Sequence, residues 1–293
     1  MARVAMLRAQ AKINLLLRIL GRERSGYHSL ETVFSRLELC DDVVVRVGVK
    51  GQSLDCGSAE LGAMEENLAY RAAMAYRETG WPEGFAIEIT KRIPVGGGLG
   101  GGSADAGAVL RSLNALRPEP IPNDALLDLA SAIGADVPFL STDSAMALAW
   151  GRGERMLALP PLPPRDVVLL TPSFGISTAE AYSWIAEDRG DDYKPVAGEL
   201  TLGMFLDWNS VLKIARNDFE PVVIRKQPLV RTLVSALRSS GASLAMLSGS
   251  GSTVFGLFDE AAAPDASNFD HSLGAVPRRT RTAAHVEEVV LTD

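Results

Sequence analysis

A ten-residue run from Pro94 to Ser103, PVGGGLGGGS, has the composition best suited to binding a phosphate group. All but one of the residues from Gly96 to Gly102 are glycine, so backbone N–H groups can approach an anion closely. A strand pattern precedes this loop and a helix pattern follows it. The first N–H groups of a helix are unpaired and carry the positive end of its dipole. The sequence therefore predicts a phosphate-binding cradle between a strand and a helix.

Two well-known nucleotide motifs do not account for this loop. A Walker A motif requires Gly-Lys-Ser or Gly-Lys-Thr, and no lysine follows Gly102. A dinucleotide fingerprint requires an acidic residue about 20 positions further on, where the proline-rich segment 117–120 lies. A flexible loop without a ligand is disfavoured, because such linkers do not usually join two patterned elements. Two roles stay open for Ser103, as a helix cap or as a contact to phosphate or Mg²⁺.

Three polar residues elsewhere are candidates for charge and proton chemistry. Alternation over residues 11–20 places Lys12 and Asn14 on the polar side of a predicted strand. Lysine there can keep a carboxylate ionised and stabilise a phosphoryl group, although an exposed strand lysine is the ordinary interpretation. Asp136 follows a glycine that can end a helix and precedes Val137-Pro138. It is therefore a candidate general base or the cap of a short helix.

Tyr27 and His28 lie in a polar segment after Gly26. An aromatic ring can stack on a nucleobase, and an imidazole can form hydrogen bonds with its edge. The pair predicts a binding site for a base.

Strands and helices mix without regular alternation, which favours the α+β class. The predicted strands cover 11–20, 43–49 and 85–90, and the predicted helices cover 67–79, 106–116 and 126–133. Four prolines between 160 and 164 indicate a linker near the midpoint. We therefore expect two domains, 1–158 and 159–293.

The overall composition narrows the class of partner. The chain has 293 residues, 47% of them hydrophobic, and a net charge of −7, so no global basic field for nucleic acid exists. Two cysteines and three scattered histidines provide neither a disulfide scaffold nor a zinc site. No stretch approaches the roughly 18 apolar residues of a membrane span, and the N-terminus lacks a signal pattern. We expect a cytoplasmic protein without a membrane or nucleic-acid partner.

Several motifs, taken in order, resemble those of one family. The segment 94–103 resembles the central motif of the GHMP kinases, which phosphorylate small-molecule alcohols. Further matching stretches are AKINL at 11–15, GYH at 26–28, GADVP at 134–138, Asp218 within RNDFE at 216–220, and SGSG at 248–251. Two departures fall just after the glycine loop: Ala104-Asp105 stands where many members have Ser followed by Asp or Asn, and Gly107 stands where alanine is usual.

The resemblance implies a two-domain α+β GHMP kinase fold, with a ribosomal protein S5 domain 2-like N-terminal domain that binds ATP and a ferredoxin-like C-terminal domain that binds substrate. It implies transfer of the γ-phosphoryl group of Mg²⁺-ATP to a hydroxyl of a small cytidylyl substrate, by a monomer or weak homodimer. The metal ligands stay unassigned. Lys12 and Asp136 would be catalytic. The implied ATP-binding residues are Asn67, Leu68, Pro94, Gly96, Gly97, Gly98, Leu99, Gly100, Gly101, Gly102 and Ser103. The implied substrate-binding residues are Asn14, Tyr27, His28, Thr178 and Tyr182.

Two alternatives stay open at this point. Another GHMP kinase, acting on homoserine or mevalonate, would have no base for Tyr27 and His28 to hold. A catalytically inactive nucleotide-binding module on the same fold is the second alternative. The presence of both Lys12 and Asp136 argues against it.

Overall fold

The computed structural model describes residues 3–22, 28–57, 63–151, 153–190, 198–259, 262–269 and 273–292. These residues form two sheets with helices packed against them. The strands are β1 (Arg3–Arg22), β2 (His28–Val47), β3 (Gln52–Asp55), β4 (Phe85–Thr90), β5 (Met146–Gly151), β6 (Arg155–Leu159), β7 (Asp166–Pro172), β8 (Arg216–Asn217), β9 (Leu244–Leu247), β10 (Val254–Phe258), β11 (Ala275–Arg281) and β12 (Val290–Thr292). The α-helices are α1 (Leu68–Arg77), α2 (Gly101–Leu116), α3 (Asn123–Ile133), α4 (Val137–Leu140), α5 (Thr178–Arg189), α6 (Trp208–Ile214), α7 (Glu220–Lys226) and α8 (Pro228–Ser239). The α+β prediction is confirmed.

The first sheet is built on a long antiparallel hairpin of β1 and β2, 20 residues each. One half of this hairpin pairs with β12 and β4, and β3 extends the sheet in parallel with β4. The other half pairs with β8 and β5, and β6 lies beyond β5. Two register shifts in β1, Gln10/Lys12 and Asn14/Leu16, flank the stretch that carries Lys12 and Asn14. Such irregularities turn side chains in a new direction and are frequent beside functional sites.

The second sheet is antiparallel, in the order β11-β7-β10-β9. Buried residues of α5, α7 and α8 pack with those of β7, β9 and β10 in one apolar cluster. Helices α1, α2, α3 and α4 form the other cluster with the first sheet. The predicted boundary between 158 and 159 falls at the end of β6 and stays a prediction. Strands β8 and β12 come later in the chain and yet join the first sheet.

Helix ends follow local chemistry, with one correction. Asn67 caps α1, where its side chain accepts a hydrogen bond from the Ala69 N–H at 2.9 Å. Helix α2 begins at Gly101 with Gly100 as its N-cap, so Ser103 lies in the first turn and is not the cap. Pro122 occupies the N-cap position of α3.

Candidate active site

A cavity of about 550 Å³ has walls from both halves of the chain. The first half contributes β1, β2, the glycine loop 94–103 and Asp136, and the second contributes the start of α5 and the loop 249–251. The sequence-predicted residues among its lining are Lys12, Asn14, Asn67, Leu68, Pro94, Gly96, Gly97, Gly98, Leu99, Gly100, Gly101, Gly102, Ser103, Asp136, Thr178 and Tyr182. Tyr27 lies outside the described residues.

The glycine loop adopts a conformation that favours glycine and is held on both sides. Gly96, Gly98 and Gly100 have φ angles of 70°, 75° and 71°, a region that other residues rarely adopt. The Leu99 carbonyl accepts a hydrogen bond from the Lys12 N–H at 2.9 Å, and the Gly97 carbonyl accepts one from the backbone N–H of Thr253 at 3.2 Å. The loop therefore contacts both halves of the chain and leads into the N-terminus of α2, where unpaired amides favour an anion.

A second small-residue loop, 248–252, packs directly on the glycine loop. The Ser248 hydroxyl donates a hydrogen bond to the Gly98 carbonyl at 3.1 Å. Asn217 anchors the far side of this loop, because its side-chain amide donates to the carbonyls of Leu247 and Gly249 at 2.9 and 2.7 Å. The neighbouring Asp218, singled out in the sequence, is buried and accepts a hydrogen bond from the Ile19 N–H at 2.9 Å. Asp218 thus links β1 to the second half of the chain.

Lys12 and Asp136 form an ion pair at the cavity wall. The Lys12 Nζ lies 3.1 Å from Asp136 Oδ2 and donates a hydrogen bond to Asn14 Oδ1 at 2.8 Å. The side chain of Lys12 is 4% exposed, so the exposed-lysine interpretation is wrong. Asp136 stands at the N-cap position of α4 but its side chain makes no capping hydrogen bond. Its carboxylate, 29% exposed, faces Lys12 and the cavity instead.

Two contacts set the position of α4, the helix that Asp136 precedes. A Cβ at Gly107 would lie 2.6 Å from the Leu140 carbonyl oxygen, so only glycine allows α2 to approach α4 this closely. At the other end the buried Arg36 donates hydrogen bonds to the carbonyls of Phe139 and Thr142, both at 2.9 Å. Asp136 therefore rests on a short helix fixed from two sides.

The aromatic residues Tyr182 and Phe219 line the end of the cavity near α5, and His28, which is not among the lining residues, packs on Tyr182. The His28 ring stacks on Tyr182, with centroids 4.5 Å apart and planes 13° apart, and Phe219 meets Tyr182 edge-on at 5.0 Å. Burial raises the pKa of the Tyr182 phenol to about 12, so it stays protonated at neutral pH. The hydroxyl of Thr178, the first residue of α5, lies 3.3 Å from that of Ser250. The structure brings these residues together, and their contacts to a base stay predictions.

A buried charge cluster that the sequence analysis missed lies beside the glycine loop. Lys91 Nζ donates hydrogen bonds to Asp41 Oδ2 at 2.5 Å and Asp105 Oδ2 at 2.6 Å. Burial raises the pKa of Asp105 to about 7, and the Lys91 charge only partly opposes this. One lysine thus faces two buried carboxylates. The sequence contained one signal for this cluster: Lys91 lies only three residues before Pro94, where the predicted cradle begins.

We expect the stability of the Asp105→Asn variant, relative to the parent, to rise with pH. The folded-state pKa lies above the ordinary carboxyl value, so folding takes up a proton between about pH 4 and 7. The parent therefore loses stability from this group as pH rises through that range, whereas asparagine carries no charge at any pH. Between pH 5 and 8 the free energy of unfolding of the variant should rise by about 1–3 kcal/mol relative to that of the parent. Urea unfolding at both pH values measures this difference in stability.

The matched control is Asp128→Asn on the exposed side of α3, whose stability should change with pH as that of the parent does. Parallel pH profiles for Asp105→Asn and parent would refute this account of the cluster.

Comparison with known proteins agrees with this architecture. The family model "GHMP kinases N terminal domain" matches residues 67–146, and "GHMP kinases C terminal" matches residues 202–269. The first match covers the glycine loop and Asp136. The fold and the cavity thus define a small-molecule kinase, and a kinase of this class uses ATP.

Full-length relatives carry a more specific name. The chain is 42% identical over 257 residues to 4-diphosphocytidyl-2-C-methyl-D-erythritol kinase of Chlorobium phaeobacteroides, covering 86% of this chain and 88% of the relative. It is 38% identical over 261 residues to the kinase of the same name from Syntrophomonas wolfei, covering 89% and 91%. A crystal structure of 4-(cytidine 5'-diphospho)-2C-methyl-D-erythritol kinase matches with a TM-score of 0.76 and 34% identity, covering 95% of this chain and 99% of the other. The chain belongs to the 4-diphosphocytidyl-2-C-methyl-D-erythritol kinase family of the GHMP kinases.

A homoserine kinase from Cytophaga hutchinsonii shares the fold, with a TM-score of 0.68 at 17% identity and coverage of 98% and 97%. No described helix combines the length and apolar composition that crossing a bilayer requires. Among the described residues, no three His, Cys, Asp or Glu side chains group as metal ligands.

Proposed function

We propose that this chain transfers the γ-phosphoryl group of ATP to the 2-hydroxyl of 4-diphosphocytidyl-2-C-methyl-D-erythritol, a step in non-mevalonate isoprenoid precursor biosynthesis. The observation that carries the proposal is the Lys12–Asp136 ion pair, which lines the same cavity as the glycine loop. Phosphoryl transfer rests on alignment and charge stabilisation, and these groups supply both.

In the proposed mechanism the amides of the glycine loop and of the first turn of α2 hold the ATP phosphates. The Asp136 carboxylate accepts the proton of the substrate hydroxyl, whose oxygen attacks the γ-phosphorus as the bond to ADP breaks. Lys12, whose Nζ lies 3.1 Å from Asp136 Oδ2, places positive charge beside that carboxylate and beside the transferred group. Asn67 and Leu68, at the start of α1, contact the adenosine part.

The cavity offers an oxygen ligand that fits Mg²⁺ bound together with ATP. Mg²⁺ in such sites usually takes one or two protein ligands and several phosphate or water oxygens. The Ser103 hydroxyl in the first turn of α2 is a ligand of that kind. Bound Mg²⁺ would neutralise charge on the β- and γ-phosphates.

The aromatic end of the cavity would bind the cytosine. We propose that Tyr27 and Tyr182 stack on the two faces of the base, that His28 contacts its edge, and that Asn14 and Thr178 assist in holding the substrate. Tyr182 and Thr178 both line the cavity, which supports this. The His28 ring, which stacks on Tyr182, would have to leave that face for the base to take it. The monomer or weak homodimer, the cytoplasmic location and the absence of a nucleic-acid partner stay predictions.

A coupled ADP-release assay tests the proposed function. ATP turnover should depend on the cytidylyl substrate and be absent with homoserine or mevalonate. Transfer to mevalonate but not to the cytidylyl substrate would end the assignment. ATP binding without turnover on any alcohol would favour an inactive nucleotide-binding module.

Tyr182→Ala should raise the KM for the cytidylyl substrate about 5- to 150-fold with a much smaller change in kcat. Stacking of one aromatic ring on a base is worth about 1–3 kcal/mol. Tyr182→Phe is the matched control, because it keeps the ring and removes only the hydroxyl; its KM should stay close to that of the parent. Equal KM values for the alanine variant and the parent would remove Tyr182 from the pocket.

A further inference from the structure

A chain of three hydrogen bonds leads from Lys12 through Asn14 and Thr32 to the Leu16 carbonyl. Neither the motifs nor the proposed mechanism uses Thr32, which lies in β2. Lys12 Nζ donates to Asn14 Oδ1 at 2.8 Å, Asn14 Nδ2 donates to Thr32 Oγ1 at 2.7 Å, and Thr32 Oγ1 donates to the Leu16 carbonyl at 2.7 Å. All three side chains are at least 95% buried. Water therefore cannot easily replace a missing partner.

The number of protons on each group decides which partner donates in each of these hydrogen bonds. A threonine hydroxyl has one proton, and the Leu16 carbonyl can only accept, so that proton is committed to Leu16. Thr32 Oγ1 can then only accept from Asn14, so the Asn14 side chain must turn its amide nitrogen toward Thr32. The Asn14 oxygen is thereby left facing Lys12. The reversed amide would place its NH₂ group against the ammonium, with two donors opposed.

The ammonium has three protons. One goes to Asn14 Oδ1 and another faces Asp136 Oδ2 at 3.1 Å. With these two directions set, the third N–H direction is also set, at a residue that lines the cavity. Loss of the Asn14 acceptor would free Lys12 to rotate around Asp136 alone.

We propose that Thr32 is a positioning residue of the phosphoryl-transfer site: by accepting a hydrogen bond from Asn14 it fixes the orientation of that amide and, through it, the direction of the Lys12 ammonium. This inference rests on the proposed function, because it assigns Lys12 to the transferred group. Thr32 lies two hydrogen bonds from Lys12 and itself lines the cavity, and the role proposed for it acts through Asn14.

Thr32→Val and Thr32→Ser form the test pair. Valine keeps the shape and removes the hydroxyl, whereas serine keeps the hydroxyl. We expect Thr32→Val to lower kcat about 10- to 100-fold, the scale of a misplaced catalytic group. KM for ATP and for the alcohol should change less than about threefold in Thr32→Val, and Thr32→Ser should keep kcat within about threefold of the parent. A kcat of Thr32→Val equal to that of the parent would overturn the inference.

A double-mutant cycle with Lys12→Met separates positioning from general structural damage. Lys12→Met should itself lower kcat about 10²–10³-fold, the effect of removing one group that stabilises charge in the transition state. If Thr32 acts through Lys12, adding Thr32→Val to Lys12→Met has no further effect on kcat. Multiplication of the two losses would show a merely structural role and overturn the proposal.

An NMR measurement on the parent and the two Thr32 variants tests the hydrogen bond without turnover. The side-chain amide resonances of Asn14, assigned by their loss in Asn14→Asp, should move in Thr32→Val and stay in place in Thr32→Ser. Unmoved resonances in Thr32→Val would refute the Thr32–Asn14 link even in an active enzyme. An inactive parent in which the resonances do move would instead count against the proposed function.

Discussion

Asp136→Asn is expected to lower kcat by about 10²–10⁴-fold, the usual contribution of a positioned general base. Asparagine preserves the shape of the side chain and can still accept a hydrogen bond from Lys12, but it cannot take the proton of the attacking hydroxyl. The Lys12–Asp136 contact of 3.1 Å also loses its charge complement. Single-turnover measurements with ATP and the cytidylyl substrate would report the chemical step, with thermal melting to confirm folding.

Asp143→Asn is the matched control for this change. Asp143 follows α4 in the chain, and its side chain is 88% exposed and paired with Arg111. The same substitution there should leave kcat unaffected. If Asp136→Asn also kept the parent kcat, Asp136 would serve only as the partner of Lys12, and another base would have to be sought.

Gly98→Ala is expected to raise the KM for ATP at least tenfold and to lower kcat with it. A Cβ at Gly98 would lie far inside van der Waals contact of the Ser248 carbonyl oxygen and 2.9 Å from that of Gly251. The φ of 75° adds about 1–2 kcal/mol of strain for any residue with a Cβ. The two loops must therefore separate, and the phosphate cradle loses its geometry. Calorimetric titration with ATP measures the loss of affinity directly.

Gly96→Ala separates the backbone strain of a positive φ from the steric clash between the two loops. Gly96 has nearly the same φ, 70°, but a Cβ there meets nothing within 4 Å. The affinity of Gly96→Ala for ATP should fall less than that of Gly98→Ala, because only the backbone strain acts in Gly96→Ala. Equal losses in the two variants would show that backbone strain, and not the contact between the loops, controls the cradle.

The contact between the two loops also explains why the cradle depends on distant residues. Asn217 holds the carbonyls of Leu247 and Gly249, and Ser248 in turn bonds to Gly98. The phosphate-binding loop of the first half of the chain is thus buttressed by an amide in the second half. A site assembled in this way lies naturally in the cleft between domains, where ligand cavities are often found.

The features that the sequence alone determined are those with a local cause. Absence of side chains from Gly96 to Gly102 specifies a loop that can approach an anion, and the Asn67 side chain specifies the start of α1. Period-two alternation specified β4 and the central part of β1. The motifs indicated the family, because the site residues follow one another along the chain in the same order as in its members. Each of these signals is complete within a few residues.

Only the tertiary structure decided which polar groups are buried together. Alternation could not show that the polar side of β1 is also buried, since that depends on the glycine loop and the loop 248–252 packing over Lys12. The capping role of Asp136 gave way to an ion pair with a residue 124 positions away in sequence. The Lys91 cluster and the Thr32 hydrogen bond likewise join separate strands and helices. Burial and partner choice are set by the packing of whole elements, and no short stretch of sequence contains that information.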